Sequence, residues 1–307
     1  MTNNQLFMQS ILSSDVVSSS DSSSTPVRNW LARLNLQFVS RPAKTVMQHV
    51  EHLGPLRVQR PFYPEQSGVC HVYLLHPPGG MVVGDELTFE AQLAKGSQVL
   101  ITTPSAGKLY GAKHLTERQR QTIMFQVGAD ACVEWLPQET IVFNGAQGEL
   151  STRVDVDASG KFFVWDIVRL GRAASNEPFI QGSCRQSLEV WRNDKPIFIE
   201  RNVFQAGSPL MQAKWGLQNT NTSATLCASL SASRDDIDIW LEYLQRECGS
   251  GLWGLTQKQQ HTATPLFIAR YLGDSILDCR RGFEYLWRKS RPLLNNLSAV
   301  EPRIWRT

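Results

Sequence analysis

The chain has 307 residues, of which 19% are charged, and a formal net charge of +3. That length supports a large core and one or two domains. So mild a charge argues against nucleic acid or an anionic membrane as the main partner, and no apolar stretch approaches the length of a membrane span.

In chain order, a polar serine-rich segment comes first, including Ser18-Ser19-Ser20-Asp21-Ser22-Ser23-Ser24. It has too little apolar surface to offset ordering, so residues 1–27 are predicted to be a disordered tail. It shows no basic region followed by an apolar one, so no secretory signal is expected. Folded chain is predicted from near Trp30. Ala32-Arg33-Leu34-Asn35-Leu36-Gln37-Phe38 alternates strictly, which is the pattern of a half-buried strand. Residues 54–85 combine a Pro61-Phe62-Tyr63-Pro64 stretch, an apolar Val72-Tyr73-Leu74-Leu75 run and a break at His76-Pro77-Pro78-Gly79-Gly80 before Gly84-Asp85. Proline fixes the backbone there and glycine frees it, which builds a shaped surface.

From residue 97 to about 205 short β-type runs recur: Val99–Thr103, Thr122–Phe125, Cys132–Leu136 and Thr140–Phe143. Gly/Ala/Asp clusters separate them. This spacing suits a sandwich, a barrel or a solenoid-like stack, and no fixed period singles out the last. Further on, Ser233-x-x-Asp236 has the form of a capping box, with Ile237, Trp240, Leu241 and Leu244 on one helical face. Two β-like runs follow, near Leu252–Leu255 and Leu266–Leu272. A second helix is predicted from about Asp274 to Ser290, with Pro292 just beyond it. The expected organisation is a mainly β body at 28–220 and a smaller α/β part with two helices at 221–307, packed on the body.

The six cysteines (Cys70, Cys132, Cys184, Cys227, Cys248, Cys279) are scattered, with no C-x-x-C pair. They suggest reduced, buried thiols in a cytosolic protein. Enzyme signatures fail on inspection. In Ser105-Ala106-Gly107-Lys108-Leu109 a phosphate loop would need glycine at Thr102 and a hydroxyl at Leu109. No G-x-S-x-G elbow, dinucleotide fingerprint or zinc spacing occurs.

Cys70-His71 and His76 place three soft or borderline ligands within seven residues. A structural histidine beside a turn and a metal contact both fit this pattern. His49 and His52 read as surface residues. Three carboxylates stand out. Asp166 interrupts Phe162-Phe163-Val164-Trp165-Asp166-Ile167-Val168, which is apolar on both strand faces. Glu200 closes Pro196-Ile197-Phe198-Ile199, and Asp85 follows the glycine-rich break. Each pairs with an arginine, Arg169, Arg172 and Arg201 being at hand, makes a turn hydrogen bond, or lines a wet, cation-conducting cavity. Oxygen donors would hold a divalent transition metal more weakly than a full His/Cys set.

Taken together, Arg60-Pro61-Phe62-Tyr63-Pro64-Glu65, Cys70-His71-Val72-Tyr73, His76-Pro77-Pro78-Gly79-Gly80, Gly84-Asp85, Thr103-Pro104 with Lys108 and Tyr110, Glu134-Trp135-Leu136-Pro137-Gln138-Glu139, Trp165-Asp166, Leu170-Gly171-Arg172, Leu188-Glu189-Val190-Trp191 and Pro302-Arg303-Ile304-Trp305 resemble, in order, the UreD (UreH) family of urease accessory proteins. Val83 stands where that family more usually has glycine. Gly107 stands where it favours a small hydroxyl residue, and the serine-rich tail is an addition. The resemblance implies a helical stack of β-strands with two α-helices, acting as a non-catalytic scaffold and metallochaperone. It implies apo-urease and UreF as partners, with UreG reached through UreF, and allows a dimer of the accessory complex. It implies a water-filled tunnel for transient Ni²⁺ and no permanently bound cofactor. Asp85, Asp166 and Glu200 match the tunnel's acidic lining, with His71 and His76 as secondary candidates. Two rival readings remain at this point: a pure interaction scaffold, and a β-rich hydrolase with paired carboxylates.

Overall fold

The alternation in residues 32–38 becomes the first strand of the computed structural model. Ala32, Leu34, Leu36 and Phe38 are buried there, while Arg33 and Gln37 face out. The structure describes residues 30–112, 117–260 and 263–306, so the predicted serine-rich tail lies outside the described residues.

Fourteen strands come first: β1 (Leu31–Ser40), β2 (Thr45–Leu53), β3 (Arg57–Val58), β4 (Cys70–Leu75), β5 (Glu86–Leu93), β6 (Gln98–Thr102), β7 (Gly107–Leu109), β8 (Gln119–Val127), β9 (Cys132–Leu136), β10 (Thr140–Val142), β11 (Gln147–Val156), β12 (Lys161–Leu170), β13 (Ser183–Arg192) and β14 (Lys195–Gln205). A single helical turn, α1 (Pro209–Gln212), precedes β15 (Thr222–Ala228), α2 (Arg234–Glu247), β16 (Gly251–Gln260), β17 (Ala263–Gly273) and α3 (Ile276–Asn295).

The strands form two sheets. One runs β14-β13-β11-β8-β5-β1-β2; the other runs β16-β17-β15-β12-β9-β6-β4-β3, with β7 and β10 as a side branch. Between β4 and β13 the chain passes back and forth between the sheets. Successive passes pair in parallel, as β5 with β8, β8 with β11 and β11 with β13. This is the helical stack expected of the fold. The passes are unequal: Glu86 to Arg120 is 34 residues, Arg120 to Glu149 is 29, and Ser151 to Ser187 is 36. That inequality is why no period shows in the sequence.

Two cores result. Leu34, Phe89, Phe125, Val154, Phe162 and Val164 pack between the sheets. Phe163, Trp165, Ile167, Leu226 and Phe267 pack on the far face of the second sheet, under α2 and α3. Strand β12 is therefore covered on both faces, which explains its continuous apolar run. β15, β17 and β16 extend that same sheet beyond β12, so the C-terminal part shares the body's sheet.

Helix α2 starts with the predicted capping box, Ser233 accepting from the Asp236 N–H and the Asp236 carboxylate accepting from the Ser233 N–H. Ser233→Ala should lower stability by about 1 kcal/mol, read as a shift in the urea midpoint. The end of α3 is a correction to the sequence reading. Pro292 lies inside the helix, which runs on to Asn295. Proline cannot donate to the carbonyl four residues back. Here the cost is confined to the last turn, where Asn296 in the left-handed region closes the helix on the Pro292 carbonyl. Packing of Arg291 and Leu294, both buried, holds the turn in place.

On α3, Gly282 lets the Trp253 ring lie directly against the helix. A Cβ there would overlap the ring. Gly282→Ala should therefore destabilise by about 1–3 kcal/mol despite alanine's better helix propensity, and thermal melting would show it.

Candidate functional site: carboxylates between the sheets

On β12, the even-numbered residues face the space between the sheets. Phe162, Val164 and Val168 fill it with carbon, and Asp166 places a carboxylate there. The register sets Asp166 beside Thr225 on β15, and Thr225 beside Arg270 on β17. From the opposite sheet, β11 supplies Thr152, β13 supplies Gln186 and β14 supplies Glu200. The Thr152 hydroxyl donates to Asp166 Oδ1 at 3.4 Å, and Gln186 also bonds this carboxyl. Glu200 accepts from the Thr225 hydroxyl at 2.5 Å and from Arg270 Nε and Nη2 at 2.9 and 2.5 Å. A polar seam thus crosses the interior, built from both sheets.

The two carboxylates differ in character. Glu200 has a cationic partner in Arg270. Among the described residues Asp166 has no ion pair; Arg169, Arg172 and Arg201 bind the Asp274 carbonyl, Glu177 and Glu189 instead. Asp166 is deeply enclosed, yet it keeps water-accessible surface. Burial pushes its carboxyl up to about 7, helped by the nearby Glu200 charge and opposed by the bonds from Thr152 and Gln186. The folded chain therefore holds a proton here that the unfolded chain releases near pH 4. That proton favours folding below about pH 4, and the gain is lost as pH rises to about 7. At about 1.4 kcal/mol per unit the effect totals a few kcal/mol. Asp166→Asn, neutral at every pH, should gain stability over the unaltered chain at pH 8 and little at pH 4. Urea midpoints at the two pH values measure this.

Asp85 and His76 form a second locale, where a turn closes with the Gly79 N–H on the His76 carbonyl. Gly79 and Gly84 both have positive φ. The buried Asp85 carboxylate accepts from the Val82 N–H at 2.9 Å through Oδ2. Its other oxygen, Oδ1, is buried without a hydrogen-bond partner among the described residues. Burial lowers the His76 pKa, and the charge of Asp85 works against that. Val83, at the position where glycine is more usual, is buried. His76 also lines a cavity of about 280 Å³ with Thr103, Gln121 and Thr140.

His71 belongs elsewhere. It is fully buried, with Nε2 2.6 Å from Glu65 Oε1. Glu65 meets Arg291 of α3 at 2.7 Å, and Arg291 meets Glu134 at 3.0 Å. Trp287 Nε1 donates to Glu134 at 2.5 Å, and Arg291 Nη1 donates to the Ser298 carbonyl at 2.7 Å. Burial opposes the Glu65 charge, but the bonds from His71 and Arg291 outweigh it and hold the carboxyl below its usual range. His71 is thus a member of a buried ionic cluster that fastens α3 to the sheet. Of the sequence candidates, the structure joins Asp166 with Glu200 and His76 with Asp85. The sequence reading missed Thr152, Gln186, Arg270 and the Glu65–Arg291–Glu134 cluster. Glu134, a charge within Cys132-Val133-Glu134-Trp135-Leu136, carries the same misfit signal as Asp166 and could have been found by it.

All six cysteines are buried free thiols. Among the described residues no group of three or more His, Cys, Asp or Glu is gathered to hold a metal ion, and no helix is long and apolar enough to cross a membrane.

Fold and site together define a two-sheet β-coil with an acidic, polar interior seam. Comparison with known sequences gives this class its family: residues 31–306 match the family model described as UreD urease accessory protein. The chain is 54% identical over 284 residues to the urease accessory protein UreD of Saccharophagus degradans, covering 92% of this chain and 95% of that protein. It is 40% identical to the UreD of Klebsiella aerogenes over 286 residues, covering 91% and 98%. It is 36% identical to that of Hahella chejuensis over 296 residues, covering 95% of each. The chain belongs to the UreD urease accessory protein family.

Proposed function

We propose that this chain serves urease maturation by guiding Ni²⁺ into apo-urease through weak carboxylate contacts. It docks with apo-urease and UreF, reaches UreG through UreF, and works in the cytoplasm as part of a complex that can dimerise. Nickel is its cargo, and no cofactor stays bound. The observation that carries this reading is Asp166: a carboxylate between two sheets, without a cationic partner among the described residues and still in reach of water. An oxygen ligand so placed favours a passing cation without trapping it. Glu200 continues the path toward the surface beside β14, and the unpartnered oxygen of Asp85 offers a further contact on the His76 side. The chain itself hydrolyses nothing on this reading, and GTP hydrolysis belongs to UreG.

A purely scaffolding chain would assemble the same complex without using these carboxylates. Nickel content of urease co-produced with Asp166→Asn and Glu200→Gln variants separates the two readings, provided the co-purified complex is quantified alongside it. Loss of nickel with the complex intact supports conduction. Normal nickel leaves only the scaffold.

A further inference from the structure

Where Glu200 approaches the surface, a groove of about 480 Å³ opens between β14 of one sheet and β15, β17 and β16 of the other. Its walls carry Trp215 and Leu252, 75% and 57% exposed. Large apolar side chains gathered so openly at one place mark an interaction site more often than a free surface. The same groove is lined by a cation, Arg270. The Arg270 side chain is 50% exposed, whereas that of its partner Glu200 is 16% exposed. Arg270 spends Nε and Nη2 on a single oxygen of Glu200, and among the described residues no partner takes Nη1. The guanidinium therefore presents unused donors to the groove, in the fork that suits a carboxylate. Finally, β16 is the outermost strand of its sheet, so among the described residues no strand pairs with one of its edges, the edge an added strand would use.

We infer that this groove receives an extended segment of a partner protein laid along β16, with one carboxylate between two apolar side chains, and that this carboxylate draws Arg270 away from Glu200. A small anion would satisfy Arg270 but leave Trp215 and Leu252 bare. A basic segment would be repelled by Arg270. Charge and apolar surface together select an acidic–apolar segment. The exchange couples docking to the seam: a free Glu200 becomes available to a cation only when the partner is seated. That last consequence rests on the nickel-guiding reading; the docking itself does not.

The test uses the full chain and a fluorescein-labelled peptide, Leu-Ser-Glu-Ser-Leu, whose Leu and Glu side chains share one face of an extended strand, against its glutamine counterpart, followed by fluorescence anisotropy. The glutamate peptide should bind at least tenfold tighter than the glutamine peptide. Arg270→Gln should abolish that preference, and Trp215→Ser should weaken both peptides several-fold. Carbodiimide labelling of Glu200, read by mass spectrometry, should rise several-fold when the glutamate peptide saturates the groove. Equal binding of the two peptides to the unaltered chain, or no binding of either, overturns the groove assignment without depending on any variant. Unchanged labelling of Glu200 at saturation overturns the exchange. Neither readout involves nickel, so either result leaves the transport proposal to its own test.

Discussion

A chain carrying Asp166→Asn together with Glu200→Gln is expected to assemble with apo-urease as the unaltered chain does, yet to leave it with about tenfold less nickel. A unit-charge contact near 4 Å amounts to about 4 kcal/mol at the effective dielectric typical of proteins. On the conduction reading, losing only a third of that contact would slow passage about tenfold. Both substitutions keep shape and most hydrogen bonds. Asparagine can still accept from Thr152, and glutamine can still accept from Thr225. Removing the partner of Arg270 costs little, because that guanidinium is half-exposed and such pairs contribute about 0–1 kcal/mol. Each single variant should show an intermediate loss. Metal analysis of purified urease, normalised to complex recovered, is the measurement. Full nickel content in the double variant would end the conduction reading.

The second large effect lies away from the seam. Arg291→Met should destabilise the fold by about 3–5 kcal/mol, because it takes from the buried Glu65 and Glu134 carboxylates the guanidinium they share. Against a total stability of about 5–15 kcal/mol this is severe. The deficit should shrink on acidification. Without Arg291 the burial that raises the Glu65 pKa is opposed less, so stability is present at low pH and lost as pH rises through the Glu65 pKa. Adding Glu134→Gln to Arg291→Met should recover part of the loss at neutral pH by removing one buried charge. Urea unfolding of the single and double variants at pH 5 and pH 8 reads both effects. A pH-independent deficit would mean that packing of the long side chain dominates.

Asp166 and Glu200 were legible in the sequence because a carboxylate in an otherwise apolar strand contradicts its surroundings, and that contradiction needs no knowledge of the fold. Their partners were not legible. Arg270 lies 70 residues from Glu200 and meets it only because β14 and β17 belong to facing sheets. The local arginines that looked available are drawn to nearer acceptors. His71 and His76 looked equivalent on spacing, and the fold separates them: one joins the ionic cluster under α3, the other the turn beside Asp85. The mainly β character was plain from the short Val/Ile/Phe runs. The coil was hidden by unequal passes, and the end of α3 was misplaced because Pro292 was read as a stop when tertiary packing tolerates it in a last turn.

The order of the coil also sets an order in time. The seam draws Thr152, Asp166, Gln186 and Glu200 from the body, but Thr225 and Arg270 from β15 and β17. A chain emerging from the ribosome folds from its N-terminal side. Its first 220 residues would hold Asp166 and Glu200 without the strands that close over them. It follows that the seam around Asp166 and Glu200 is completed only after residue 270 has been synthesised and β17 has paired with β15. Until then the half-built protein presents these carboxylates without the two strands that supply their partners Thr225 and Arg270.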